Sequence, residues 1–403
     1  MGEIIPLAFG LLKPTPDSPA SGLSNEARGS NGGQGAAFYR CYRLRQHPSY
    51  ATLHPMRITD LRFLLAVVLP LNAIIGVLLM PQFSGVMTLA FWSGIVLLEV
   101  VLTSGKTSPA AVDAQASGAY FRWILRLYVL MQLGLIGLGA DAAVRGDWPT
   151  TLGLAFAVGY VTGAQGITFA HELGHSKLKF DRFCAWVLMT SVCYGHFMVE
   201  HYRGHHPRAA TRDDPASARY GESLYRFLPR SLWGSLHSGW RLEGLRLAQM
   251  KTSWLRSPLV WSALASCALV VLPAIYLQAP AATKYVVFLT GQSVVAFLLL
   301  ETVNYIEHYG LQRSLVGGRR EAFGMMHAWN ADHVVTNSIL VNLQRHSDHH
   351  MHAWKPYAAL EALPGPQLPT GYAGCLWLAM VPPLWFKLMH ARIAALQKHA
   401  LAS

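Results

Sequence analysis

Residues 343–350 read Leu343-Gln344-Arg345-His346-Ser347-Asp348-His349-His350, and they close a histidine-rich stretch that begins at Asn304. In a helix, His346, His349 and His350 stand at positions i, i+3 and i+4, so three imidazoles are expected to converge on one face. Neutral imidazole is a common nitrogen ligand of transition metals. The stretch therefore predicts a metal-binding face on a helix.

Three further histidine groups lie earlier in the chain. They are His171-Glu172-Leu173-Gly174-His175, Glu200-His201-Tyr202-Arg203-Gly204-His205-His206 and Asn304-Tyr305-Ile306-Glu307-His308-Tyr309-Gly310. In an α-helix His201 and His205 share a face and His206 lies about 100° further round, so the adjacent pair can serve two different metals. One metal takes about four to six protein ligands, and the nine clustered histidines therefore indicate two metal ions.

The composition is that of a membrane protein. Of 403 residues, 52% are hydrophobic and 13% are charged, and the mean hydropathy is +0.27, which is too apolar for an ordinary soluble chain of this length. The formal charge of +12 comes from Lys and Arg beside apolar stretches, as the positive-inside rule expects, so no nucleic-acid partner is predicted. The five cysteines have no close pairing and predict no disulfide framework.

Six stretches are long enough to cross a bilayer, which takes about 20 helical residues. They are 59–80, 84–104, 121–143, 149–170, 258–279 and 283–303. Arg40, Arg43, Arg45 and Arg57 precede the first stretch and favour a cytoplasmic N-terminus. An even number of spans then places residues 171–257 and 304–403, which hold every clustered histidine, on the same cytoplasmic side. The predicted fold is an all-α membrane protein with six transmembrane helices and a cytoplasmic histidine-rich region.

The remaining segments complete the predicted domain organisation. Residues 1–57 form a Pro/Gly/Ser-rich tail with a basic flank, predicted to be disordered, residues 58–390 form the transmembrane metal domain, and residues 391–403 form a C-terminal tail. The apolar segment 183–198 is too short for a span and is expected to be a buried or interfacial helix. Residues 371–390, broken by Pro382-Pro383, are expected to be re-entrant or peripheral.

Several polar residues near the clusters are candidates for orienting the histidine rings. The carboxylates Glu172, Asp214, Glu307 and Asp348 can accept imidazole N–H groups, or they can be solvated side chains without such a role. His327 and His333 flank Trp329-Asn330 and are candidates of the same kind. The isolated histidines His196, His237, His352, His390 and His399 are expected to be packing residues.

Two other functions use part of the pattern. His171-Glu172-x-x-His175 matches the zinc metalloprotease helix, in which the glutamate is the general base, but a single zinc leaves most of the clustered histidines unexplained. A metal transporter would place its ligands near the bilayer midplane, whereas these histidines follow the ends of predicted spans.

The four histidine motifs in this order resemble those of the integral-membrane alkane hydroxylases. These are non-haem di-iron alkane monooxygenases of the membrane desaturase and hydroxylase superfamily. The resemblance extends to Asp214-Pro215-Ala216, Gly221-Glu222-Ser223, His327-Ala328-Trp329-Asn330 and Leu368-Pro369-Thr370-Gly371-Tyr372, and it covers residues 59 to 390. The long N-terminal segment departs from the family pattern.

The resemblance implies a reaction and a cofactor. The expected reaction is hydroxylation of the terminal methyl of medium-chain alkanes to primary alcohols with O2, at two non-haem iron ions held by the nine histidines His171, His175, His201, His205, His206, His308, His346, His349 and His350. An unactivated C–H bond offers nothing to acid–base or nucleophilic catalysis, so a metal-bound oxidant is required. Alkyl aromatic or fatty acyl substrates on the same scaffold remain the alternative.

The chain carries no electron-transfer module of its own in its sequence. It has no Gly-rich dinucleotide fingerprint, and none of its five cysteines lies within three residues of another, so no rubredoxin-type iron site is present. The resemblance implies a separate rubredoxin and an NAD(P)H-dependent rubredoxin reductase at the cytoplasmic face of a bacterial inner membrane. The basic residues expected to meet an acidic rubredoxin are Arg203, Arg208, Arg212, Arg319 and Arg320.

Overall fold

The computed structural model describes residues 57–101 and 119–402. The helices in these residues are α1 Ile58–Leu79, α2 Pro81–Val101, α3 Ala119–Arg145, α4 Trp148–His175, α5 Lys179–Ser191, α6 (the consecutive pieces Phe197–Glu200, His201–His205 and His206–Arg208), α7 Leu224–Gln249, α8 Pro258–Tyr276, α9 Ala281–His308, α10 Val334–Ile339, α11 His346–Met351, α12 Tyr372–Ala379 and α13 Pro382–Ala402. Short 3-10 turns lie at Trp254–Arg256, Met325–His327 and Tyr357–Ala359. The strands β1 Leu315–Val316 and β2 Arg319–Arg320 pair antiparallel.

The predicted membrane spans are confirmed. Within the described ranges, six helices are long and apolar enough to cross a bilayer, namely α1, α2, α3, α4, α8 and α9. Their outer faces expose large apolar side chains such as Ile75, Leu130 and Val271, which is the pattern of helices that face lipid. Residues 102–104, the predicted end of the second span, and almost all of the predicted tail 1–57 lie outside the described residues.

The starts of these helices follow from local sequence. Asp147 is the N-cap of α4, and its side chain accepts a hydrogen bond of 2.9 Å from the backbone N–H of Thr150, which satisfies one of the unpaired donors of the first turn. Pro149 in α4 and Pro258 in α8 stand in the first helical turn, where a residue without an N–H costs nothing.

Helices α4 and α9 make the closest helix–helix contact near the histidines. A Cβ on Gly159 would lie 2.5 Å from the carbonyl oxygen of Gln292, and one on Gly163 would lie 2.7 Å from Cα of Ala296. Only glycine permits this approach of two backbones, as in other membrane helix pairs. The side chain of Thr162 adds a hydrogen bond of 3.1 Å to Gln292 Oε1. This packing sets the ends of α4 and α9, which carry two of the histidine groups, side by side.

Helix α7 is the largest element that the sequence does not predict. Its buried face includes Ser231 and Ser235, while Tyr225, Trp233 and Leu245 are exposed. The Ser231 hydroxyl donates to Glu301 on α9. Polar and apolar residues occur on both faces of α7, so its hydrophobic periodicity is weak and gives little signal in the sequence.

The predictions for two shorter segments hold only in part. Residues 183–198 are largely buried but do not form one helix, because α5 ends at Ser191 and the chain turns at Cys193, where φ is +54°. The re-entrant or peripheral placement of residues 371–390 remains a prediction. The predicted break at Pro382-Pro383 separates α12 from α13. Helix α13 continues through the boundary predicted at residue 390, and the assignment of 391–403 as a separate tail remains a prediction.

Candidate metal centre

The nine clustered histidines lie together, as predicted, and the structure divides them into two groups within the described part of the chain. The five-histidine group contains His171, His175, His201, His206 and His349, and the four-histidine group contains His205, His308, His346 and His350. In each group one ring nitrogen from every member lies within 4.8 Å of the others. Helices α4, α6, α9 and α11 supply all of these side chains.

The spacing of the ring nitrogens is that of a coordination shell. The Nε2 atoms of His201 and His206 are 2.9 Å apart, those of His308 and His346 are 3.1 Å apart, and those of His205 and His350 are 3.2 Å apart. With a metal–nitrogen bond of about 2.1 Å, ligands at right angles have nitrogens about 3.0 Å apart and opposite ligands about 4.2 Å apart. Both groups can therefore each surround one ion.

The predicted sharing of a face by His201 and His205 is right only in part. Their rings stack with centroids 5.3 Å apart, but residues His201–His205 form one turn of π-helix, in which hydrogen bonds join residues i and i+5. This wider turn also brings His206 against His201, and His205 joins the four-histidine group. The prediction that the adjacent pair His205 and His206 serves two sites fits this geometry.

The predicted convergence of the three histidines of α11 is also wrong in part. The helix is present, but His346 and His350 join the four-histidine group whereas His349 joins the five-histidine group. In an α-helix the side chains at i+3 and i+4 are separated by about 100°. The helix therefore lies between the two groups and contributes histidine side chains to both.

Gly174, between the two histidines of α4, makes room for Tyr202. The Tyr202 hydroxyl donates a hydrogen bond of 3.0 Å to the carbonyl oxygen of His171, and its ring packs edge-on against His175 and His201. A Cβ at Gly174 would overlap this hydroxyl. Tyr202 thus fixes the relative position of α4 and α6.

Five of the six clustered rings outside the membrane spans are held neutral, and His205 is the exception. Burial, followed by the neighbouring imidazoles, lowers the pKa of His201, His206, His346, His349 and His350 well below the usual range. Neutral imidazole is the form that binds metals. In addition, the buried Nε2 atoms of His171 and His175 have no hydrogen-bond partner among the described residues, so a metal ion bound to the lone pair of each nitrogen would satisfy them.

Two of the predicted carboxylates contact the four-histidine group. Asp214 Oδ2 lies 2.9 Å from Nδ1 of His205. Burial disfavours the charged ring of His205, but Asp214 outweighs this effect and the pKa of His205 is raised. Glu307 Oε1 lies 3.2 Å from Nδ1 of His346, at an angle outside that of a hydrogen bond, and it accepts a hydrogen bond of 2.8 Å from the Tyr372 hydroxyl.

The other four candidates for orienting the rings have different partners. Glu172 accepts a hydrogen bond of 2.9 Å from the backbone N–H of Tyr357. Asp348 contacts His352 and Lys355, and the His327 ring contacts Glu321 and the backbone of Gly324. In the part of the chain that the structure describes, no hydrogen bond or ion pair joins these side chains, or that of His333, to a clustered histidine.

Asn330 and Tyr372 are structural partners of the centre that sequence reasoning did not single out. The buried Asn330 amide clamps Ser347 on α11, accepting from its N–H at 2.8 Å and donating to its hydroxyl at 2.8 Å. Asn330 and Tyr372 both belong to the motifs that carry the family resemblance. The resemblance could therefore have indicated these two residues, but their contacts join segments far apart in the chain.

A small apolar cavity of about 30 Å³ lies between the two histidine groups and the transmembrane helices. The polar lining residues are Thr168, His171, His201, Asn304, Glu307 and His346, and the apolar ones include Ile167, Phe197, Leu300, Val303 and Leu343. Ile167 ends a second π-turn, Thr162–Ile167, within α4. The cavity offers room for roughly one or two small groups next to both candidate metal positions.

Comparisons with known proteins agree with these features. The profile of the fatty acid desaturase family matches residues 147–369. The chain is 40% identical to alkane 1-monooxygenase 2 of Pseudomonas aeruginosa over 291 residues, covering 70% of this chain and 76% of that protein. It is 35% identical to the alkane 1-monooxygenase of Ectopseudomonas oleovorans over 340 residues, covering 81% of this chain and 83% of that protein. The chain therefore belongs to the fatty acid desaturase family of membrane proteins and, within it, to the alkane 1-monooxygenases.

Proposed function

We propose that the two histidine groups each bind one non-haem iron ion, and that the protein uses this pair to hydroxylate the terminal methyl of medium-chain alkanes. The observation that carries the proposal is the division of nine ring nitrogens into two sets, each within 4.8 Å. All nine predicted histidines would be ligands, five to one ion and four to the other.

The ligand sets favour iron over zinc. Structural and catalytic zinc sites take four ligands in tetrahedral geometry, and five convergent imidazoles exceed that number. Imidazole suits iron, which accepts five or six ligands. The metalloprotease alternative also requires Glu172 to face the metal as general base, yet its carboxylate is hydrogen-bonded to the backbone of Tyr357.

The reaction consumes one alkane, one O2, two electrons and two protons, and yields one primary alcohol and one water. Bound iron would supply the oxidising power that cleaves the C–H bond. The chain positions the substrate. Ile167, Phe197 and Leu300 line the small cavity beside the histidines, so they can exclude water and hold a terminal methyl between the two groups. Since alkanes partition into lipid, the transmembrane helices are a suitable route to this cavity.

The electrons must come from a partner, and rubredoxin with its NAD(P)H-dependent reductase is the partner we propose. Of the five arginines expected to receive it, Arg203, Arg208 and Arg320 are already close to the carboxylates of Glu243, Glu200 and Asp213. Arg212 and Arg319 are exposed, and neither forms an ion pair among the described residues. These two are the better candidates for contact with an acidic carrier on the cytoplasmic side of a bacterial inner membrane.

Iron content and product analysis test the proposal together. The purified protein should hold two irons per chain and should convert medium-chain alkanes to primary alcohols when NADH, rubredoxin and rubredoxin reductase are supplied. His349→Ala should lose iron and turnover, because His349 lies in the five-histidine group. His237→Ala is the matched control, since His237 is exposed on α7 and should retain both.

Other outcomes would replace the proposal. One zinc per chain with peptide hydrolysis would support the metalloprotease alternative. Two irons with alcohols formed only from alkyl aromatics would retain the metal assignment and change the substrate class. Full iron content in His349→Ala would contradict the two-ion assignment.

A further inference from the structure

The two histidine groups have different surroundings. In the four-histidine group, Asp214 lies 2.9 Å from His205 and Glu307 lies 3.2 Å from His346. Both carboxylates are buried. A dication placed among these rings would be partly neutralised by the buried carboxylate of Asp214.

The five-histidine group lacks this support. No carboxylate forms a hydrogen bond or ion pair with its rings among residues 57–101 and 119–402, and the nearby Glu172 is bonded to the backbone of Tyr357. The groups against its rings are Tyr202, Phe197 and other imidazoles. An ion in this group would be held by neutral ligands alone.

A surface cavity reaches the five-histidine group. The cavity has a volume of about 440 Å³ and is lined by His175 and Glu172 at its inner end. Leu178 and Trp354, which also line it, are 46% and 57% exposed and form its outer part. His175 itself is only partly buried, and it is the one clustered histidine among the lining residues of this cavity.

We infer that the two iron sites exchange metal unequally, and that the five-histidine site loads and releases its ion through the cavity at His175 while the four-histidine site retains its ion. The inference rests on the proposed binding of two irons. The charge difference and the access difference are independent observations, and both act in the same direction.

The charge difference should be large enough to measure. Removing a carboxylate that supports a histidine ligand typically lowers metal affinity about 10- to 100-fold. The four-histidine group has one such hydrogen-bonded carboxylate, Asp214, and the five-histidine group has none among the described residues, so a difference of at least about 10-fold in release rate is expected. Release of the ion also needs a path, and the cavity at His175 offers space in which water can replace the histidine ligands as the ion leaves.

Chelator competition on the intact protein tests the inference. The protein, loaded with two ferrous ions and kept free of oxygen, is mixed with ferrozine, and the coloured complex is followed with time. Two phases of equal amplitude are expected, the first at least about 10-fold faster than the second. Mössbauer spectra of the iron-57 protein before and after the first phase should show loss of one of two distinct signals.

Matched variants assign each phase to a group. Asp214→Asn should accelerate the slow phase and leave the fast phase unchanged. Asp213→Asn, which alters an exposed neighbouring carboxylate, should change neither. Trp354→Ala should accelerate the fast phase by widening the cavity and Leu178→Trp should slow it, whereas Trp233→Ala, on the exposed face of α7, should have no effect.

The outcomes separate this inference from the proposed function. A protein that binds fewer than two irons before the chelator is added contradicts the proposed function itself. Two irons released at one common rate, or a fast phase that responds to Asp214→Asn but not to Trp354→Ala or Leu178→Trp, would overturn the unequal exchange while leaving the di-iron assignment intact.

Discussion

The Nε2 atoms of His201 and His206 lie 2.9 Å apart although the residues are five positions apart in the chain. In an α-helix, residues i and i+5 are separated by about 140° around the axis and do not meet. The π-turn at His201–His205 removes this separation and turns His205 toward the second group. One local change in helix pitch thus allows a six-residue segment to serve both sites.

The π-turn is held by Tyr202, whose hydroxyl occupies the space above Gly174. We expect Gly174→Ala to displace Tyr202, to misplace His201 relative to α4, and to lower iron content below half of the normal value. Metal analysis of the purified variant checks this result. Gly137→Ala on α3 is the control, because a Cβ there meets nothing within 4 Å; normal iron in Gly174→Ala would show that Tyr202 does not fix the turn.

Hydropathy and residue identity predict much of this molecule. The six spans are recognisable because each is a long apolar run, and the nine histidines because they cluster at the ends of spans or in the short helices α6 and α11. The assignment of each histidine to a group was not predictable. It depends on helix pitch at His201–His205, and a π-turn leaves no mark in hydropathy or in residue spacing.

Contacts across long stretches of chain were also beyond prediction. Tyr372 reaches Glu307 across 65 positions, and Asn330 reaches Ser347 across 17 positions. Of the predicted carboxylates, Asp214 and Glu307 contact rings of the clustered histidines, while Glu172 contacts the backbone of Tyr357 and Asp348 contacts His352 and Lys355. All four lie within or shortly after a histidine motif, so the sequence alone does not distinguish them.

The close contact of α4 with α9 should make the folded protein sensitive to any side chain added between the two helices. In Gly163→Ala the new Cβ would meet the backbone of Ala296, which cannot move aside as a side chain can. We expect a loss of about 1–3 kcal/mol, typical of overpacking in a tight interface, and a lower midpoint temperature of unfolding in detergent. Gly137→Ala, in an exposed position of α3, should be neutral or slightly stabilising. Equal midpoints for the two variants would contradict the close contact.

Tyr372 should act as a positioning residue for the four-histidine group. Tyr372→Phe removes the hydroxyl that holds Glu307 beside His346, and a loss of about 10- to 100-fold in affinity for one of the two irons is expected. Equilibrium titration with ferrous iron measures this loss. Tyr128→Phe is the matched control, since its hydroxyl bonds only to the carbonyl of Val161 in α4. Two unchanged affinities in Tyr372→Phe would exclude the role.

The carboxylate of Glu243 should make the stability of the folded protein depend on pH. Its carboxylate accepts hydrogen bonds from Arg246 and from Ser257, just before α8, and Arg246 lowers the pKa of Glu243 below its usual range. A lowered folded-state pKa gives stability that is present above the usual carboxyl pKa of about 4.3 and is lost as pH falls through the folded value.

The corresponding variant is Glu243→Gln. It should lose about 1–3 kcal/mol at pH 7, the range for hydrogen bonds to a charged group, and the difference from the unaltered protein should shrink as the pH falls below about 4.3 and through the lowered folded-state pKa. Unfolding midpoints at several pH values measure both effects. Asp141→Asn removes a half-exposed pair with Arg145 and should cost at most about 1 kcal/mol. A constant difference for Glu243→Gln at every pH would contradict the assignment.

The docking of the electron carrier gives the last prediction. Arg212 and Arg319 are exposed and unpaired among the described residues, whereas Arg208 is bound to the buried Glu200 at 2.7 Å. Because long-range attraction raises the rate of encounter with an acidic partner, Arg212→Glu and Arg319→Glu should raise the KM for rubredoxin several-fold with little change in kcat. Raising the salt concentration should raise the same KM in the unaltered protein and less in the two variants. Arg145→Glu is the control, because Arg145 lies at the C-terminal end of α3, and it should give the KM of the unaltered protein. An unchanged KM for rubredoxin in both Arg212→Glu and Arg319→Glu would mean that the carrier binds to another surface.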